Sequence, residues 1–262
     1  MGFQAVLICS PMRAQISTLK DVQFQEGPSV GALENTASLK VPAGYVFAGA
    51  KDTRIVMEAL QNPPSGNEMG FITPKDEDWF VIFQFDDVGY VKDEEKGSLN
   101  AKAMLDSIKA GTEQSNKERI KRGWRLMTVT GWEQQPRYDE TTHNLEWAIR
   151  GESEGEPNIN YNIRMLGRGG FMKVTLVTAP ENINTTLPKF RALMGGYEFN
   201  QGHRYAEFTA GDKISKYGLT ALVVGGAAAV AVKSGAFKWG SKLLVVGIFA
   251  LLAWAKSLFS GK

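Results

Sequence analysis

Two groupings of side chains in this sequence have the types and spacing to do chemistry. Asp86, Asp87, Asp93, Glu94 and Glu95 crowd one short stretch. Hard cations such as Ca2+ or Mg2+ need several convergent oxygens, so Asp86, Asp87, Asp93 and Glu94 are candidate metal ligands. Their spacing fits no EF-hand, which sets ligands at alternate positions with Gly at the sixth. The competing reading is a solvated turn whose acids favour the positive end of the following helix. The second grouping is Asn160, Asn162 and Arg164, on one face of an alternating segment, with Arg168, Tyr138, Asp139, His143 and Glu146 as candidate neighbours. A planar guanidinium flanked by amides can clamp a carboxylate or phosphate, which makes these the candidate ligand or partner-binding residues. The competing reading is structural: Arg164 pairs with Glu146 across strands and the asparagines satisfy backbone.

Other signatures of catalysis are missing from the sequence. His143 and His203 stand far apart without a cysteine cluster or HExxH motif, so they make no zinc site. No Gly-x-Ser-x-Gly, Walker loop or GxGxxG motif precedes a helix, and nothing calls for a cofactor. Trp124, Trp132 and Trp147 could stack on a sugar, but their strand positions favour core packing.

These residues need an α+β scaffold. Trp79–Phe85 is almost entirely apolar and suits a mid-sheet strand covered on both faces. Ser98 is the expected N-cap of a helix running towards Arg122, with Ala101, Met104, Leu105 and Ile108 on one stripe and Gly123 as its stop. Leu126–Gly131 and Asn144–Arg150 read as strands joined by a polar stretch. Asn158–Leu166 alternates, with Ile159, Tyr161, Ile163 and Met165 on the other face, and a Gly-Arg-Gly-Gly turn at 167–170 leads it into Phe171–Thr178. Thr186 is the expected cap of a short helix begun by Pro188, and a last strand is expected near His203–Phe208. Sequential hairpins predict a mostly antiparallel sheet with helices packed on one side. Residues 15–66 read as an N-terminal arm or subdomain, with a helix over Asp52–Gln61, and residues 67–212 as the body.

The charge is unevenly placed. The formal sum is +2 over 262 residues. Residues 213–262 hold seven lysines and no acid or arginine, which leaves 23 basic against 28 acidic groups in residues 1–212. A body of that sign repels phosphate backbones, so nucleic acid is not an expected partner. The tail carries two apolar runs, Tyr217–Val232 and Leu243–Phe259, separated by Lys233, Lys238 and Lys242. Each reaches about 24–26 Å as a helix, close to a hydrocarbon core of about 30 Å. One helix holding both would bury three lysines, so residues 213–262 are read as an anchor, a transmembrane hairpin with its lysine loop cytoplasmic. The alternative keeps the second run as the only span. Ala221, Gly225 and Ala229 recur every fourth residue and would let another membrane helix approach. Residues 1–14 resemble the late part of a secretory signal, with cleavage expected after Ala14. The single cysteine, Cys9, allows no internal disulfide.

Several strings are familiar together: LKVPAGYVF (39–47), DDVGYVKDEE (86–95), ERIKRGW (118–124), GWEQQPRYDETTHNLEWA (131–148), NYNIRMLGRGGFM (160–172) and GDKISKYGLTALVVGG (211–226). Across nearly the whole chain the sequence resembles a bacterial family of uncharacterised membrane-anchored proteins, domain of unknown function 2167. The resemblance implies an exported, membrane-anchored body in a Gram-negative envelope and no assigned reaction. The expected protein is therefore a non-catalytic binding or scaffolding domain of the bacterial inner membrane, its body in the periplasm. Its expected partners are the lipid bilayer and an envelope protein or a second copy of the chain. The alternatives are an envelope hydrolase using Asp93 or Glu94 with His143, and an accessory subunit of a transport system.

Overall fold

The computed structural model describes residues 19–225. In chain order the elements are β1 (Gln25–Glu26), β2 (Ser29–Leu33), β3 (Ala37–Val41), β4 (Tyr45–Gly49), α1 (Ala50–Ala59), β5 (Glu68–Pro74), β6 (Phe80–Asp86), α2 (Ala101–Lys121) and β7 (Thr128–Asp139). They continue with β8 (Asn144–Ser153), β9 (Glu156–Leu166), β10 (Phe171–Thr178), α3 (Ile183–Met194), β11 (Tyr197–Phe199) and α4 (Leu219–Val224). An eight-stranded sheet has the order β1-β4-β5-β6-β10-β9-β8-β7, and β11-β3-β2 form a second, three-stranded one. Every ladder is antiparallel.

The apolar strand expected at mid-sheet is β6, flanked by β5 and β10 and buried on both faces over Phe80–Phe83. On one face of the large sheet, Val81, Phe83, Tyr161, Ile163, Val174 and Leu176 pack against Leu33 and Leu39 of the small sheet and Phe190 and Leu193 of α3. The other helices gather on the opposite face. There α1 covers Phe71, Phe80 and Ile82, while α2 and α4 cover Leu145, Trp147, Ile149 and Phe171. Alternation along each strand therefore feeds two apolar layers, since successive side chains point to opposite faces.

Several boundaries differ from the sequence reading for local reasons. The cap of α2 is Asn100, whose side chain accepts from the Ala103 amide at 3.0 Å, while the Ser98 hydroxyl donates back to the Glu95 carbonyl. Helix α3 starts a turn before its expected cap because a 3-10 turn at Pro180–Asn182 feeds it, so Thr186 lies inside, beside Thr178. The polar stretch after Gly131 is strand, not loop, and forms the outer edge of the sheet. Its pairing slips between Val129 and Gly131, Trp132 and Gln134, and Gln134 and Arg137, which suits an edge that must not recruit another strand. A three-residue strand, β11, and a 3-10 turn at Tyr205–Glu207 replace the expected last strand.

Two larger expectations meet the structure here. The stretch read as an N-terminal arm or subdomain contributes strands to both sheets: β4 pairs with β5, and β3 pairs with both β2 and β11. The start of the first apolar run is part of the core. Leu219–Val224 form α4, and all six of its residues are buried. Among the described residues no helix is long and apolar enough to cross a membrane. Ala221 is buried in the body and Gly225 leaves the helix at φ +89, so these two do not continue one helical stripe. Ala229, the remainder of both apolar runs and residues 1–14 lie outside the described residues.

Packing of α4 is directly testable. Leu222 is 3% exposed, and Leu222→Ala is expected to cost about 2–5 kcal/mol through lost transfer energy and the cavity left behind. The readout is the urea midpoint of the full chain in a neutral detergent; an unshifted midpoint would show that the core does not use this segment.

Candidate functional site

The helical face of the large sheet is not apolar throughout. Between the layer under α1 and the layer under α2 runs a polar stripe whose order follows from strand register. Glu68, Gln84, Lys173 and Arg164 lie side by side across β5, β6, β10 and β9. Thr175 faces Asn162 one row further along, and Asn162 in turn faces Trp147. Asn158, Asn160, Asn162 and Arg164 are all buried. The alternation read from the sequence is therefore right, but the polar side of β9 faces a second layer rather than solvent.

Each group on this stripe has its own electrostatic setting. The Arg164 guanidinium stacks over the Trp147 ring at 4.6 Å and donates from Nε to the Leu222 carbonyl at 3.3 Å. Burial pushes Arg164 down to about 9, with Asp86 pulling the other way, so it stays charged at neutral pH. Lys173 pairs with Asp86 at 3.2 Å, and burial lowers its pKa against the opposing pull of Asp86. The Thr175 hydroxyl donates to the Asn162 side chain at 3.1 Å, and the Asn160 amide to Asn158 at 2.9 Å.

Glu68, which the sequence reading passed over, closes the stripe on the β5 side. Its carboxylate accepts from the Ser65 amide at 2.6 Å, the Ser65 hydroxyl at 2.7 Å and the Gly66 amide at 2.9 Å, and pairs with Arg54 at 3.3 Å. Asn67 bonds Asp86, joining that loop to the Lys173 pair. Lys173 had a signal in the sequence. A four-residue turn at 167–170 sets Leu166 opposite Phe171, and counting back puts Arg164 opposite Lys173.

Helix α4 is fixed over the stripe by its own N-terminus. The Thr220 amide donates to Glu95 at 2.9 Å. A side chain at Gly218 could not coexist with that contact, because its Cβ would lie 2.0 Å from the Glu95 carboxylate. Glu95 thus anchors the entry to the tail.

The remaining candidates are scattered or gathered elsewhere. Asp87 is exposed, Glu94 pairs with Lys92 at 3.3 Å, and among the described residues no three acids, histidines or cysteines converge to hold a metal. The candidate metal ligands Asp86, Asp87, Asp93 and Glu94 therefore do not converge, because along the extended turn Asp86 meets Lys173, Glu94 meets Lys92 and Asp87 faces outward. Glu146 does not meet Arg164. It faces the opposite side of the sheet, where it accepts from Tyr161 at 2.6 Å and pairs with Arg191 at 3.4 Å. Arg168 is held by Asp212 at 2.7 Å, a contact that keeps the Asp212 carboxyl well below the usual range. Asp139 accepts from the Thr141 and Thr142 amides of its own turn.

Tyr138 and His143 do come together, at the rim of the sheet. The Tyr138 hydroxyl lies 3.1 Å from His143 Nδ1, and burial, followed by the nearby Asp93 charge, raises the Tyr138 pKa. The His143 ring lies 4.5 Å from Tyr205, Tyr205 stacks on Tyr90 at 4.4 Å, and Tyr90 meets Phe208 at 4.2 Å. This row of rings pins the chain segment leading to α4 against the body. Trp147 is core, as expected; Trp124 lies under the Arg122 guanidinium, and the Trp132 indole donates to the Ala101 carbonyl.

The body is thus an α+β sandwich with a charged stripe sealed inside one of its layers. The chain belongs to the family described as Protein of unknown function (DUF2167), whose model matches residues 25–255. No curated protein matches it. Among solved structures it is similar to the solution structure of cyanobacterial PsbP (CyanoP) from Synechocystis sp. PCC 6803. That similarity stands at 12% identity and a TM-score of 0.36 over 68% of this chain and 92% of that one, too distant to carry an argument.

The stripe makes a pH prediction. Burial alone would raise the Glu68 carboxyl, but hydrogen bonds from Ser65 and Gly66 outweigh it and hold the group low. A carboxyl depressed in the folded state adds stability that is fully present above its unfolded value, about 4.3, and is lost as pH falls through the folded value. Glu68→Gln is therefore expected to flatten the fall of melting temperature below about pH 4, and a profile parallel to that of the parent would remove Glu68 from this role.

Proposed function

We propose that the chain is a membrane-anchored envelope protein whose body is a non-catalytic binding or scaffolding domain facing the periplasm. The observation that carries this reading is the burial of Leu219–Val224 in the body. The sequence turns apolar there and carries lysines but no acid from residue 213 on, so the first apolar run of the expected anchor begins inside the core. The stripe supports binding over catalysis. Its guanidinium is stacked on Trp147 and sealed under α4. An envelope protein or a second copy of the chain is the partner this reading assigns to the outer surface.

The test is fractionation of the full chain. It is expected to float with liposomes after an alkaline wash, and protease added to spheroplasts is expected to digest the body. A chain washed off at high pH, or a body protected in spheroplasts, would overturn the anchoring or the orientation respectively.

One arrangement favours a hydrolase as the second reading: at the half-buried rim the Tyr138 hydroxyl lies 3.1 Å from His143 Nδ1, with the charge of Asp93 nearby. If it supplies general acid or base catalysis, His143→Gln should cost a purified chain about 10²-fold or more in hydrolysis of the ester or glycoside that it turns over. A loss smaller than tenfold would leave these groups as part of the ring stack alone.

A further inference from the structure

We propose that the face of the body carrying Phe208, Ile214, Lys213 and Lys216 is seated on an anionic lipid surface, the leaflet that the tail enters. This deepens the membrane-anchored reading and rests on it.

Phe208 and Ile214 are large apolar side chains turned to solvent, 37% and 53% exposed. Scattered singly, such residues need no explanation. These two are joined through Tyr90. The Phe208 ring meets that of Tyr90 at 4.2 Å, and Ile214 is bridged to Tyr90 by two backbone hydrogen bonds of 2.8 Å, from the Tyr90 amide to the Lys213 carbonyl and from the Ser215 amide to the Tyr90 carbonyl. Tyr90 in turn stacks on Tyr205, whose hydroxyl donates to the Val91 carbonyl at 3.0 Å. A fixed frame thus holds the apolar pair outward.

The charge of this face suits a bilayer. Lys213 and Lys216 flank Ile214 and are both exposed, and the Lys216 ammonium lies 5.3 Å from the centre of the Tyr217 ring. Apolar groups beside tyrosines and long cationic side chains are the composition of a membrane interface, where the first enter the headgroup boundary and the last reach the phosphates. Acids of the neighbouring turns are taken up within the body: Asp212 by Arg168, Glu207 by the Gly202 and Arg204 amides, and Glu95 by the Thr220 amide. Asp87 stays exposed, one charge against two. A second copy of the chain is a poorer occupant, since a two-fold contact through this face would bring the lysines of both copies together.

The face also lies next to the exit of the tail. Tyr217, Gly218 and the six residues of α4, about 9 Å of helix, separate it from Gly225, where the rest of the apolar run continues. Because α4 is buried, that exit is fixed on the body, and a bilayer entered beyond Gly225 is within reach of Phe208 and Ile214.

The test is quenching from the lipid side, with the full chain carrying Cys9→Ser and a fluorophore on Ala210→Cys, an exposed position beside Phe208. The same label on Val30→Cys, 61% exposed on the small sheet and so across the large sheet from α4, is the reference. The chains are reconstituted in phosphatidylcholine vesicles with and without phosphatidylglycerol, each bearing a nitroxide on its headgroups. Quenching at position 210 is expected to exceed that at position 30 severalfold, to be stronger with phosphatidylglycerol, and to weaken at about 1 M salt, where the screening length falls to about 3 Å. Ile214→Gln, and Lys213→Gln with Lys216→Gln, should each lower it severalfold while flotation and melting temperature stay as in the parent. Equal quenching at 210 and 30 in a chain that floats, no dependence on phosphatidylglycerol, or parental quenching in both variants would overturn the seat and leave the anchor standing. A chain that does not float would overturn both. Crosslinking of two copies through position 210 without lipid quenching would assign the face to a second copy and likewise overturn the proposal.

Discussion

A charged row cannot be laid across a sheet between two helices without being sealed, and sealing it dictates much of this molecule. Arg164 is taken out of water at a cost that only close partners can offset: a π face below, a carbonyl above and carboxylates along the row. The π face requires Trp147 on the neighbouring strand, and the carbonyl requires α4 to lie where it does. That position depends in turn on Glu95 and on the lack of a side chain at Gly218. The row of rings at the rim keeps the approach to α4 in place. Secondary structure is set locally, but the layer above the sheet is arranged around one guanidinium.

The fold class was legible because it rests on periodicity. β6, β9 and β10 show their burial in residue order, and the turn at 167–170 fixes their register. What was not legible depended on which element covers which face. The polar side of β9 reads identically whether water or a helix lies over it, and only the packing of α1, α2 and α4 decides. Hydropathy cannot distinguish a membrane segment from a core segment when both are short and apolar, so Leu219–Val224 counted towards a span although it lies in the body. The strand pairing of residues 15–66 is hidden in the sequence for a related reason. The strands there are short, and β3 finds one partner, β11, far along the chain.

The candidate residues divided along the same line. Asn160, Asn162 and Arg164 were recognisable as a group because they share one strand face. Lys173 was recoverable only by pairing two strands, and Glu68 only by placing β5, a segment with no conspicuous pattern. The acids at 86–95 failed as a cluster because closeness in sequence says little about closeness in space where the chain is extended: Asp86 turns to Lys173, Asp93 to Tyr138 and Glu95 to the Thr220 amide.

The placement of α4 also bears on how the protein is made. Residues 219–224 close the layer over Trp147, and they are synthesised after every strand of both sheets. A chain emerging from its amino end can form its hairpins early, but it cannot finish its core until this late segment has arrived. Until then Leu145, Trp147, Phe171 and the guanidinium beside them are covered by α2 alone and stay partly open. If the body crosses a membrane during synthesis, completion of its fold is tied to the moment the tail reaches the same side, and a chain released early would present that open layer to chaperones and proteases.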